Sequence, residues 1–203
     1  MLSYMNNFVL PLAPTPEQAQ RLTNLQAMFA VACNVISPIA QANRCWNRVA
    51  LHHLCYRQIR EQFPSLGSQM ACNAIYSVCR AYRTVLTHPE SPWRLDKKST
   101  APLPRVIFAQ TAPVYFDRHT LSVKSGHLSM FTLDGRLRFD LVLDPLHENI
   151  LREQRLLEIA LRRQGEKFEL FFLLTNEPVS VAEKVLQHQA VPTDIHVLPA
   201  QVA

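Results

Sequence analysis

Arg48, His52, Tyr56 and Arg60 recur at steps of four in the stretch "NRVALHHLCYRQIREQ". On a helix that spacing puts all four side chains on one face, with a cation at each end and an aromatic ring between them. Arg44 and Arg57 flank the row, and Arg80 and Arg83 follow in the next helical stretch. Cations fixed on a rigid surface suit phosphate oxygens, and an interleaved ring can stack on an unpaired base. Arg44, Arg48, Tyr56, Arg57, Arg60, Arg80 and Arg83 are therefore the candidate RNA- or phosphate-binding residues. A solvated helix face, the usual fate of a charge run, is the alternative.

The distribution of charge favours the first reading. Residues 1–110 hold 11 Lys/Arg against 4 Asp/Glu, a balance of +7, while residues 111–203 hold 10 against 12, a balance of −2. Such an excess in one half suggests a polyanion partner for that half. Other chemistry finds little support. His52 and His53 are adjacent, but no carboxylate falls at a ligand spacing from them. The five cysteines (33, 45, 55, 72 and 79) are odd in number and never form C-x-x-C, which fits neither a zinc site nor a disulfide framework. They read as reduced core thiols of a cytoplasmic protein. Four glycines build no phosphate loop, and no Ser, Cys or His pairing suggests a nucleophile and its base. No catalytic residue, metal ligand or cofactor is expected. No uninterrupted run of 18 apolar residues appears, and "MLSYMNNFVLPLAPT" lacks a basic start before its short apolar run, so neither a membrane span nor a secretory signal is expected.

Hydrophobic period supplies the elements that must carry these residues. "YMNNFVLPL" (4–12) alternates as a short strand. Thr15, Pro16 and Gln18 make a capping box that opens a helix, whose apolar residues run from Ala19 through Leu22, Leu25, Phe29, Ala32 and Ile36; Ser37-Pro38 is expected to kink or end it. A second helix runs over about 47–63, burying Leu51, Leu54, Ile59 and Phe63. A third runs over about 68–86 with Ala71, Ala74, Ile75, Val78, Tyr82 and Val85 inward. "THPESPWRLDKKSTAPLP" (87–104) is a polar, proline-rich connector, after which the period changes to two. "PVYF-DRH-TLSV", "HLSMF-TLDG-RLRFDLVL" and "RLLEIALRR-QGE-KFELFFLLT" read as strand pairs, and "DPLHENILREQ" (144–154) as a helix before the last pair. The tail holds a short helical piece (181–189) and then a loose, Pro-containing end. The fold class is α+β, a small β-barrel or bent sheet with a three-helix bundle inserted after its first strand.

Four segments in series resemble the N-terminal half of the TnpB (OrfB) family: "LAPTPEQAQRL", "NRVALHHLCYRQIREQFPSLGSQMACNAIYSVCRAYR", "VYFDRHTLSVKSGHLSMFTLDGRLRF" and "GEKFELFFLLTNEP". These are insertion-sequence-associated, RNA-guided nucleases related to type V CRISPR effectors, and the resemblance spans residues 4 to 178. It implies a first wedge strand at 1–14, a helical recognition bundle at 15–88, a linker at 89–104, the remaining wedge-type β-barrel at 105–178 and a C-terminal tail at 179–203. It also implies that guide RNA and target DNA are the partners, with Gln69, Met70 and Asn73, His52 and Arg118 placed to read a short DNA motif. Gln and Asn can pair bidentately with adenine; helix capping or ordinary exposure is the alternative for each.

The family's RuvC nuclease segment is not matched. After "LLTNEP" the stretch "VSVAEKVLQHQAVPTDIHVLPAQVA" offers Asp194 near its end and no G-x-D-x-G stretch, whereas two-metal hydrolysis needs several converging carboxylates. These residues alone are expected not to cut DNA. The expectation is a nuclease-less binding module of the prokaryotic cytosol or nucleoid, with a separate RuvC-containing chain or another subunit as protein partner. The rival is a structural or protein-interaction subunit derived from a transposon protein. "KFELFFLLT" is apolar on both faces, so one face is expected to lie uncovered until a partner protein packs on it.

Overall fold

Element boundaries follow local chemistry closely at the N-terminus. In a computed structural model, which describes residues 5–95, 102–124, 126–141, 143–176 and 193–200, strand β1 spans Met5–Leu12 and helix α1 spans Pro16–Ala42. Thr15 caps α1 reciprocally: its own N–H donates to Gln18 Oε1 at 2.9 Å, and its hydroxyl accepts from Gln18 N at 3.3 Å. Helix α2 spans Arg48–Gln62, with the Asn47 side chain accepting from the amides of Val49 and Ala50. A 3₁₀ turn at Pro64–Leu66 and Gly67, at φ +74°, reverse the chain into α3, Ser68–Thr87. That left-handed conformation is cheap only for glycine.

The strands are β2 (Arg105–Phe108), β3 (Val114–Phe116), β4 (Leu121–Lys124), β5 (His127–Thr132), β6 (Gly135–Asp140), β7 (Arg155–Gln164), β8 (Lys167–Thr175) and β9 (Ile195–Leu198). Helix α4, Pro145–Glu153, is capped by Asp144 and precedes β7, as the sequence predicts. All pairings are antiparallel, and the architecture is α+β. The described strands form three separate sheets, ordered β1-β8-β7-β3, β2-β9 and β4-β5-β6, and none of them closes into a barrel. β1 precedes the three helices yet pairs along its whole length with β8, so the bundle is an insertion within this sheet. One hydrophobic core runs through both parts, from Leu25, Phe29 and Ile36 of α1 and Ile75 and Val78 of α3 to Phe116, Ile159, Leu170 and Phe172 of the sheet.

Several expectations need correction. Pro38 does not end α1, which continues to Ala42. Polar side chains on one side of that helix are bonded to the backbone beside it. Asn34 exchanges two 2.8 Å hydrogen bonds with Phe108, Ser37 Oγ donates to the Val106 carbonyl at 2.6 Å, and Gln41 Nε2 donates to the Leu103 carbonyl at 2.8 Å. α1 thus satisfies the edge of β2 as a neighbouring strand would. "PVYF" and "TLSV" do not form a hairpin: β3 pairs with β7 and β4 with β5, so the "DRH" turn passes from one sheet to another. The end expected to be loose supplies β9, whose Ile195–Leu198 pairs with β2. The helical piece expected at 181–189 lies outside the described residues.

Leu54, expected inside, is 48 % exposed, because the buried side of α2 is Leu51, Cys55 and Ile59. β8 does not leave a face open. Phe168, Leu170, Phe172 and Leu174 are buried on one side, and Phe171 and Leu173 on the other. Phe8 stacks between His147 of α4 and Phe172, at 4.4 and 4.8 Å, and the Arg162 guanidinium lies 3.8 Å above the Phe171 ring. The strand is covered within this chain, which removes the reason for expecting a partner there. α1 is long and apolar enough to cross a membrane by length and composition, with mean hydropathy 1.4 in its most apolar window. In this structure it buries Leu22, Leu25, Phe29 and Ile36 in the shared core.

Candidate nucleic-acid interface

The spacing of four on α2 does what its period demands. Arg48, His52, Tyr56 and Arg60 line one flank of the helix, beside the buried row Leu51, Cys55 and Ile59. Burial of that neighbouring row fixes how far the flank can turn. His52 and Tyr56 stack at 4.4 Å with an 18° interplanar angle, and His53 meets His52 edge-on at 5.9 Å. The Arg48 guanidinium lies 5.6 Å over the Tyr76 ring of α3, and Arg60 Nη1 reaches the Pro64 carbonyl at 3.4 Å. Neither arginine pairs with a carboxylate among the described residues. Both keep charge available for an anion.

α3, over whose Tyr76 ring Arg48 lies, is bonded in turn to the loop after β3. Gln69 Nε2 donates to Asp117 Oδ2, and the exposed Arg118 follows in the same turn. Asp117 also accepts from the Thr120 hydroxyl and from the amides of His119 and Thr120. Burial alone raises the Asp117 pKa. The hydrogen bonds from Thr120, the His119 and Thr120 amides and Gln69 together outweigh it and hold the carboxyl below its usual value.

Other candidates are spent on structure. Met70 and Asn73 are buried, at 3 % and 4 % exposure, and present no edge to a base; Asn73 Nδ2 donates to Thr120 Oγ1 at 3.3 Å and holds α3 to the turn. Arg80 is buried and pairs with Glu158 of β7 at 2.7 Å, joined by the Tyr76 hydroxyl at 3.1 Å. Its guanidinium also lies 5.2 Å over Tyr115. Burial works against the charge on Arg80, but Tyr115, Glu158 and Tyr76 more than offset it, so it stays a cation locked inside. Arg57 points away from the row and pairs with Glu61 at 2.9 Å, a surface helix pair. Arg44 and Arg83 meet at a different place, a hollow of about 440 Å³ where α1 turns into α2, lined also by Asn43, Cys45, Trp46 and Asn47.

The sequence reading therefore names a set that the fold divides. Arg48, His52, Tyr56 and Arg60 share one flank of α2, Gln69 is bonded to the turn that carries Arg118, Arg44 and Arg83 share the elbow, and Arg80, Met70 and Asn73 are interior. It misses Tyr76 and Asp117, whose parts depend on contacts between elements and leave no local spacing to find. All five cysteines are free thiols. Burial raises the pKa of Cys55 to about 11 and of Cys79 to about 12, and pushes Cys33 and Cys72 up as well. Among the described residues no three His, Cys, Asp or Glu side chains converge as metal ligands would. Asp194 is occupied in the fold: its carboxylate accepts from Thr111 Oγ1 at 2.7 Å and its carbonyl accepts from Ala109 N at 2.9 Å. No protein-family model matches this chain, and no curated protein matches it.

Proposed function

We propose that these residues form a nucleic-acid-binding module of an RNA-guided DNA-binding complex, one that does not cut by itself. The α2 row with Gln69 and Arg118 takes the backbones of a guide RNA and of the DNA duplex beside its target. Sequence choice then falls mainly to guide base pairing, with the protein sensing shape and a short motif. The observation that carries the reading is the row itself: Arg48 and Arg60, neither paired with a carboxylate among the described residues, bracket a stacked His52–Tyr56 pair on a rigid helix. The resemblance to the TnpB family adds the guide and the target. The wedge-type barrel belongs to the same proposal, supported by the insertion of the bundle between the paired strands β1 and β8. So do residence in the prokaryotic cytosol and a RuvC-containing chain acting in trans.

The test is affinity for RNA, including transcripts of the chain's own locus, and for duplex DNA across a salt series. Counterion release gives a log–log slope of about 0.7–0.9 per phosphate neutralised. The double variant Arg48→Ala/Arg60→Ala is expected to shallow that slope by about 1.4–1.8. Absence of affinity for every RNA and duplex tried, with capture of a protein subunit instead, establishes the interaction-subunit alternative. Cleavage by the purified chain with Mg²⁺ or Mn²⁺, lost on one Asp or Glu substitution, overturns the non-cutting part.

A further inference from the structure

The three-stranded sheet β4-β5-β6 has two unlike faces. Leu121, Leu128, Met130, Leu137 and Phe139 point inward and are buried. The opposite face alternates with them and carries Ser122 and Lys124 on β4, His127, Ser129 and Phe131 on β5, and Arg136, Arg138 and Asp140 on β6. The strand register aligns Ser122, Ser129 and Arg138 across the sheet, and Lys124, His127 and Asp140 beside them. Together with Leu128 and Arg136 these residues line a shallow concavity of about 620 Å³.

Phe131 is out of place on such a face. It is 40 % exposed among polar neighbours, and the Arg136 guanidinium lies 4.6 Å over its ring. That arginine is held in place: Nη1 donates to the Ser129 carbonyl and hydroxyl at 3.3 and 3.1 Å, and Nη2 donates to the His119 carbonyl at 2.9 Å. The carboxylate on this face, Asp140, is engaged by His127 Nδ1 at 2.9 Å, while Lys124 and Arg138 make no ion pair among the described residues. The face therefore combines three cations, one acid hydrogen-bonded to an imidazole, one exposed ring and two serine hydroxyls.

The geometry points to a site for unpaired RNA on this sheet, with one base stacked on Phe131 and its neighbours' phosphates on Lys124 and Arg138. Charge complementarity selects a polyanion, and the exposed ring selects one whose bases are free to stack, since duplex bases are not. The hydroxyls of Ser122 and Ser129 suit the 2′-OH, the group by which a protein tells RNA from DNA. The inference deepens the proposed nucleic-acid function and rests on that reading. It uses a surface that shares no residue with the α2 row.

The probe is a short fluorescein-labelled oligouridine, with an oligodeoxyuridine of the same length beside it and the full chain as binder. Oligouridine is expected to bind more tightly than oligodeoxyuridine. Phe131→Ala is expected to weaken oligouridine binding by about 5- to 150-fold, the range that loss of one base–aromatic stack gives. Phe131→Trp retains it, and both variants keep the wild-type melting curve because the buried row of the sheet is untouched. Lys124→Ala/Arg138→Ala lowers the salt slope by about 1.4. Unchanged binding by Phe131→Ala, or equal affinity for the deoxy strand, overturns the site. If Arg48→Ala/Arg60→Ala abolishes RNA and duplex binding while Phe131→Ala has no effect, the α2 reading stands and this one fails. A loss with Phe131→Ala that Arg48→Ala/Arg60→Ala does not reproduce supports the sheet, and unchanged duplex binding by that double variant as well overturns the α2 row.

Discussion

The α2 row and the outer face of β4-β5-β6 both set an aromatic ring among arginines, but they are built on different periods. On α2 the cations and Tyr56 lie four apart within one helix, so a single stretch of sequence displays them. On the sheet, Phe131 reaches Arg136 across a tight hairpin, and Arg138 meets Ser122 only through a third strand. A helix writes its surface along the chain, whereas a sheet writes it across strands. The second kind is visible only when register is known.

The two surfaces meet at the turn after β3. Gln69 grips Asp117 from the helical side, Asn73 grips Thr120, and Arg136 reaches the His119 carbonyl from the sheet side. Beneath them the Arg80–Glu158 pair ties α3 to β7. The largest expected effect comes from breaking that support. Arg80→Ala leaves Glu158, whose Oε1 has no hydrogen-bond partner among the described residues, as a buried charge without its cation. Stability should fall by about 3–5 kcal/mol, read by urea unfolding followed through tryptophan fluorescence. Replacing the pair together, Arg80→Met with Glu158→Leu, should recover most of the loss. A loss below about 1 kcal/mol in the single variant would mean that apolar contact alone holds the bundle to the sheet.

A middling effect is expected at the shared turn. Asp117→Asn removes a carboxylate that accepts four hydrogen bonds and should cost about 1–3 kcal/mol. The sign with pH follows from the direction of its shift. The folded pKa lies below the unfolded value of about 3.9, so the stabilisation is complete above that value and fades as pH falls through the folded one. The gap between wild type and Asp117→Asn should therefore be full near neutrality and shrink in acid. A gap that widens in acid would show that desolvation, not hydrogen bonding, governs this carboxyl.

The same contrast explains how much of the molecule could be read from its sequence. The capping box at Thr15, the joint at Gly67, α4 behind Asp144 and the hairpin around Gly165 are local events, and each stands where local chemistry puts it. Strand partners are not local. The "DRH" turn carries hairpin residues but sends β4 to β5, because β3 completes the edge of another sheet. "IHVL" is too short and too closely flanked by prolines to announce β9, and only the waiting edge of β2 makes it a strand. Ser37, with Pro38 the expected break in the first helix, lies instead with Asn34 and Gln41 on the side that bonds α1 to a neighbouring backbone, a part that local pattern does not reveal. For the site the division is similar: period puts Arg48 to Arg60 on one flank, but nothing in the spacing of Arg80 reveals Glu158 beside it, 78 residues away in the chain.

The smallest expected effects come from the far side of α2, and they sharpen the comparison by setting the width of the helical surface. At about 100° per residue, Leu54 projects about half a turn from the mean direction of the Arg48–Arg60 row, with Arg57 and Glu61 near it. Leu54 is 48 % exposed, and the Arg57–Glu61 pair is an exposed helix pair at 2.9 Å. Leu54→Ser and Arg57→Ala should each change stability by no more than about 0.5 kcal/mol. More tellingly, Arg57→Ala should leave the salt slope of RNA binding where it was, although it removes the same charge as Arg48→Ala. If ligand contact is confined to one flank, position on the helix decides and total charge does not. An equal loss of slope from Arg57→Ala would show RNA held by the diffuse field of the bundle, and the stacked His52–Tyr56 flank would then have no special place in binding.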